Sequence, residues 1–190
     1  MSAGKAASRL RSQLCDGCRN LKWSRLGRDQ LYQTVEISRG QKQIMNAGNA
    51  FSTDIKVRFR DLDAMGHVNK AVFFTYFEQG RLDFFNRATP DGKFPGFFFI
   101  LAHINCDYLK AVSVDDLLAL HMQVGEIGRK SYTFRYAVVD RTDTHKVFAT
   151  GESVQVCYDY HKNQTLPVSP DLKRLLSQYQ YKDLNAESIK

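Results

Sequence analysis

The chain of 190 residues has only four cysteines, Cys15, Cys18, Cys106 and Cys157. They are too few and too unevenly spread for the disulfide scaffold of a small secreted domain, so a reducing compartment is expected. Long apolar runs are also missing. The longest, Phe97 to Ala102, falls far below the roughly 20 residues that span a bilayer. No signal-peptide apolar stretch stands at the N-terminus. Metal-ligand pairs are scarce too: the five histidines are scattered, and Cys15-x-x-Cys18 is half of a zinc site with its nearest further cysteine far along the chain. Internal repeats and low-complexity tracts are absent from residues 51–182. A soluble, intracellular protein without a metal is the expectation.

What is present first is charge, +7 overall. Residues 1–44 carry nine Lys/Arg against three Asp/Glu, which leaves +1 for residues 45–190. That near-neutral remainder has no electrostatic footprint for nucleic acid. Residues 1–50 show little apolar periodicity and read as a basic, disordered extension. Lys5, Arg9 and Arg11, with no acid among the first fifteen residues, fit an organelle-targeting segment; a start at Met45 is the other reading. The expected location is the cytoplasm, or an organelle matrix if the leader targets one. Residues 51–182 are read as one domain and 183–190 as a tail.

Secondary structure becomes legible at Ile55. Ile55, Val57 and Phe59 alternate with Lys56, Arg58 and Arg60, the pattern of a half-buried strand. Asn69 is placed to cap a helix to about Ala88, whose apolar positions, Val72, Phe73, Tyr76, Phe77 and Phe84, cover most of its circumference. Gly80 within it predicts a close approach to a sheet. Four further strands follow at about 97–109, 116–127, 131–140 and 146–160, with a hairpin at "IGRKS". A terminal helix over 170–179 starts from a Ser169 cap and Pro170. Long alternating strands indicate an antiparallel sheet.

Between the first strand and the helix lies "VRFRDLDAMGHVNKAVFFTYFEQGR", in which two aspartates, a glycine, a histidine and an asparagine occupy the hinge. A buried helix start offers unpaired N–H groups and a positive dipole end, which stabilise a nearby carboxylate or a developing oxyanion. Thioester hydrolysis needs both an activated water or carboxylate nucleophile and such a pole. Gly66, Val68 and Asn69 are the expected oxyanion donors. Asp61 and Asn69 are also read as organisers of the loop.

This run, with "INCDYLKAV" and "IGRKSYTFRYAV", resembles the hotdog-fold thioesterases, specifically the 4-hydroxybenzoyl-CoA thioesterase-like acyl-CoA hydrolases, over about residues 53–165. The resemblance implies an α+β hotdog fold, a long central helix wrapped by a five-stranded antiparallel sheet. It implies that the second aspartate of the D-x-D pair, Asp63, is the catalytic carboxylate, acting as base or nucleophile. His67 is a second catalytic candidate that orients water or polarises the carbonyl. Glu78 is a secondary one, against a plainer pairing with Arg81 or a solvated position; Gln79 beside it fits an acyl channel or a dimer contact. Coenzyme A is part of the substrate and no cofactor is expected. Its phosphates need cations and backbone donors, for which Lys110, Arg129, Lys130 and Ser131 are chosen. Phe73, Phe74, Phe77 and Phe97 to Phe99 suit an acyl or aryl pocket, though core packing explains most of them.

The resemblance further implies a homodimer or dimer of dimers, with sheets joined edge to edge and the sites between subunits. No membrane or nucleic-acid partner is expected. Two other functions are weighed. A hotdog dehydratase carries a histidine where this chain has "KFPGFFF". A non-catalytic acyl-CoA-sensing regulator with a basic DNA-binding N-terminal segment has no need of Asp63, and residues 1–50 show no pair of helices fit for the major groove.

Overall fold

The computed structural model describes residues 50–88 and 99–181. The leader, Cys15 and Cys18, the turn at 89–98 and the tail lie outside them. Five main strands form one antiparallel sheet: β1 (Phe51–Ile55), β2 (Phe99–Tyr108), β3 (Leu118–Ile127), β4 (Ser131–Asp140) and β5 (Val147–Asp159). Their order across the sheet is β1-β3-β4-β5-β2, and a two-residue β6 (Gln164–Thr165) pairs with β5. Helix α1 (Val72–Ala88) follows β1, and α2 (Pro170–Gln178) ends the domain.

The first strand lies earlier than the alternation places it. Phe51, Thr53, Ile55 and Val57 are buried, but ladder pairing stops at Ile55 opposite Leu118, where β3 begins. With no partner strand beyond, the chain turns into a single 3₁₀ turn (Phe59–Asp61), and Phe59 is 87% exposed rather than buried. The other strands fall within about two residues of their expected positions. The β3–β4 hairpin closes through Gly128, whose N–H donates to the Ser131 carbonyl at 2.8 Å. Helix α2 starts as its residues dictate, with the Ser169 hydroxyl accepting from the Leu172 N–H at 3.2 Å and Pro170 at the first position.

Helix α1 lies on the inner face of the sheet, burying Phe73, Tyr76, Phe77, Gly80, Arg81, Phe84 and Phe85. Its burial is one-sided rather than nearly complete, since Thr75, Glu78, Gln79 and Leu82 remain exposed. The Phe77 ring stacks on Tyr136 at 4.4 Å and 10°, and Phe84 meets Phe134 edge-on at 5.2 Å. Leu172, Leu176 and Tyr179 of the C-terminal segment close one end of this core. The outer face is not simply solvated, because Ala119, Ala137 and Val139 make a second small apolar cluster with Val147.

Gly80 does what its place in the helix predicts. A Cβ there would lie 2.2 Å from Leu120 Cδ2 and 2.8 Å from Met122 Sδ, both on fully packed side chains. Alanine is the better helix former by about 1 kcal/mol, so propensity alone favours Gly80→Ala. Overpacking outweighs it, and a net loss of about 1–2 kcal/mol is expected in urea denaturation. A stabilised variant would show that the sheet gives way.

Candidate active site

The hinge loop closes on itself. The Asn69 N–H donates to the Asp61 carbonyl at 2.8 Å, Leu62 and Val68 form an antiparallel bridge, and the Asp63 N–H donates to the His67 carbonyl at 2.7 Å. Gly66 turns it at φ +80°, a backbone state open to glycine at little cost. Two outside contacts then anchor it, one to the β2–β3 connection and one to the end of the sheet. The Val68 N–H donates to the Val112 carbonyl at 2.8 Å, and the Tyr108 hydroxyl, at the end of β2, donates to the Lys70 carbonyl at 2.8 Å.

The two aspartates divide the work. Asp61 is buried; its Oδ2 accepts from the Arg58 N–H at 2.9 Å and from the Tyr76 hydroxyl at 3.0 Å. Burial first, then the Asp61 charge, pushes the Tyr76 phenol well above its ordinary range and keeps it a donor. Asp63 is exposed. Its Oδ1 accepts from the Met65 N–H at 2.8 Å and the His67 N–H at 3.2 Å. Its Oδ2 takes no partner among the described residues, which leaves one oxygen of an anchored carboxylate facing outward.

The expected oxyanion donors are not available. The N–H groups of Gly66, Val68 and Asn69 are spent within the loop and on the β2–β3 connection, on Asp63, Val112 and Asp61 carbonyls. The reason is that the helix begins at Val72, two residues later than the asparagine cap predicts. Asn69 instead caps the turn before it, its Oδ1 accepting from the Ala71 N–H at 2.9 Å and its carbonyl from the Val72 N–H at 2.9 Å. Over residues 66–72 the donor left over is the Lys70 N–H, which has no acceptor among the described residues although the Lys70 carbonyl is held by Tyr108. It stands beside the positive end of α1. The sequence reading missed Lys70, Tyr76 and Tyr108. Tyr108 was within reach, standing in "INCDYLKAV" at a strand end.

His67 contributes its backbone to the loop at both N–H and carbonyl. Glu78 is exposed and does not pair with Arg81; the buried Arg81 donates from Nη1 to the Tyr136 hydroxyl at 3.1 Å instead. Gln79 donates to Asp83 at 3.0 Å.

The coenzyme A candidates separate. Lys110 lies just past Tyr108, at the loop end of the sheet. Arg129, Lys130 and Ser131 lie at the opposite end, across the ten-residue β4, about 30 Å away at ~3.3 Å per residue. The Lys130 ammonium donates to Thr165 at 2.7 Å. Within one chain the hairpin therefore does not reach the loop.

A helix laid on an antiparallel sheet ordered β1-β3-β4-β5-β2, with a carboxylate-bearing loop at the helix start, is the hotdog architecture of thioesterases. The chain belongs to the thioesterase-like superfamily, whose family model matches residues 57–176. It is 27% identical over 128 residues to the long-chain acyl-CoA thioesterase FadM of Escherichia coli, covering 66% of this chain and 96% of that protein. It is 29% identical over 87 residues to Bacillus subtilis YsmA, covering 46% of this chain and spanning 59% of that protein's length. Among solved structures, a thioesterase of Thermus thermophilus complexed with coenzyme A and zinc superposes with a TM-score of 0.60 at 28% identity, over 70% of this chain and 96% of that one. A 4-hydroxybenzoyl-CoA thioesterase in complex with 4-hydroxybenzoyl-CoA shares the fold, with a TM-score of 0.58 at 16% identity over 67% of this chain and 99% of that one.

Proposed function

We propose that this protein hydrolyses a fatty or aromatic acyl-CoA to the free acid and coenzyme A. The observation that carries the reading is the anchored but half-free carboxylate of Asp63, in the same closed loop as the unpartnered Lys70 N–H. Two charges develop when water adds to a thioester, a proton to be removed and an oxyanion to be held. Asp63 Oδ2 takes the proton, and the Lys70 N–H with the helix start holds the oxygen. Collapse of the tetrahedral intermediate breaks the C–S bond and releases the thiolate, which is reprotonated from solvent. Direct attack by Asp63 on the carbonyl, followed by hydrolysis of the resulting anhydride, uses the same geometry. Neither route calls for a cofactor.

The working unit is a homodimer in this proposal. Support comes from β2, which pairs with β5 along one edge and with no strand along the other among the described residues. Ten residues of unpaired edge, with Leu101 and Tyr108 over 40% exposed on it, make a self-complementary surface for an isologous joint.

The test is free-thiol release from short, medium and long acyl-CoAs and an aryl-CoA. Turnover of one class identifies the acyl group. Tight binding without turnover across the panel would overturn hydrolysis in favour of a ligand-sensing role.

A further inference from the structure

Between α1 and the segment from Asp54 to Asp61 runs a cleft of about 600 Å³. Its helix wall consists of Val72, Thr75, Tyr76, Gln79 and Asp83. Eleven helical steps from the first to the last of these give it a length of about 16 Å at ~1.5 Å per residue. It opens at the start of α1, where Asp61 and Tyr76 line it, two residues along the chain from Asp63.

The opposite wall carries Lys56, Arg58 and Arg60. Lys56 and Arg58 lie on the extended segment after β1, where alternate side chains share a side about 7 Å apart, and Arg60 follows on the 3₁₀ turn. Exposed cations in such a row are usually a solvated face. Two facts set these apart. None of the three forms an ion pair among the described residues; of the acids in the cleft, Asp54 pairs with Arg141 at 2.9 Å, while neutral donors hold the other two, the Arg58 N–H and Tyr76 on Asp61, and the Thr53 hydroxyl at 2.7 Å and Gln79 on Asp83. The Arg58 charge also reaches the helix wall, where it pulls the Tyr76 phenol down against the dominant effect of burial.

We propose that this cleft seats the phosphate groups of coenzyme A on Lys56, Arg58 and Arg60, with the pantetheine arm leading back to the helix start. The assignment rests on the thioesterase reading and gives it a subsite in the same chain as Asp63. A pyrophosphate and a 3′-phosphate match a row of three cations. Guanidinium groups bind such oxygens in pairs, which a lysine-only row does not.

The test uses adenosine 3′,5′-bisphosphate, which carries the nucleotide phosphates of coenzyme A but no thioester. Calorimetric titration of the wild-type chain is compared with a K56A/R58A/R60A variant and an R129A/K130A variant. Affinity should fall about ten-fold or more in the first and stay unchanged in the second. In parallel, KM for acyl-CoA should rise by a similar factor in the triple variant with kcat nearly constant. Hydrolysis of an N-acetylcysteamine thioester, which lacks phosphate, should not change. Unaltered affinity and KM in the triple variant, or loss confined to R129A/K130A, overturns the assignment. A wild-type chain that cleaves neither thioester overturns the thioesterase reading instead, and the bisphosphate titration still decides the cleft.

Discussion

Asp63→Asn is expected to lower kcat for acyl-CoA hydrolysis by about 10²- to 10⁴-fold, with the melting temperature unchanged. The substitution separates chemistry from architecture because the two oxygens of Asp63 do different things. Oδ1 holds the loop by accepting from Met65 and His67, and an amide oxygen accepts those bonds equally well. Oδ2 is the partnerless one, and an amide nitrogen there neither removes a proton from water nor attacks a carbonyl. Asp63→Ala removes both functions and should also loosen the loop. The asparagine variant is therefore the informative one, assayed by thiol release and thermal melting together. Full turnover in a folded Asp63→Asn protein would take Asp63 out of the mechanism. Asp61→Asn is the control; it retains an acceptor for Arg58 and Tyr76 and leaves Asp63 charged, so its effect on kcat should be much smaller.

Phe77→Ala should destabilise the domain by about 3–5 kcal/mol in denaturant unfolding. The ring is fully buried and lies flat on Tyr136. Beneath it the sheet carries Gly151, where a Cβ would meet Phe77 Cε2 at 2.7 Å and the Asn105 carbonyl oxygen at 2.5 Å. The helix ring thus occupies the space that a side chain on β5 would need. Removing the ring opens a cavity against backbone, which relaxes poorly, and leaves the Tyr136 face uncovered. Gly151→Ala fails from the other direction by overpacking, and part of the clash is with β2 backbone, so trimming the ring should relieve only a fraction of it. A double-mutant cycle measures that fraction. Near-additive losses would show that the two positions do not share the space.

The strands and both helices were legible because their periodicity survives in the packed structure: Leu118, Leu120, Met122 and Val124 face the helix as alternation requires. The first strand was misplaced because alternation continues through Val57 although its partner strand has run out. Pairing is a property of two segments, and one segment's pattern does not reveal where the other begins. The helix start was misplaced for a related reason. Asn69 is a good cap, but it caps a turn, and the bonds that consume the N–H groups of Val68 and Asn69 run to Val112 and Asp61. Such tertiary commitments carry no local signature. In the sequence only the family resemblance separates Asp61 from Asp63, and burial against Tyr76 supplies the physical difference between them.

The tyrosine at the end of β2 carries a consequence for behaviour at low concentration. Tyr108 sits on the strand with the open edge, and its hydroxyl fixes the carbonyl of the residue whose N–H remains unspent. If a second copy adds to that edge, assembly presses on the loop through one hydroxyl. Specific activity should then fall on dilution in step with dissociation, and Tyr108→Phe should uncouple the two.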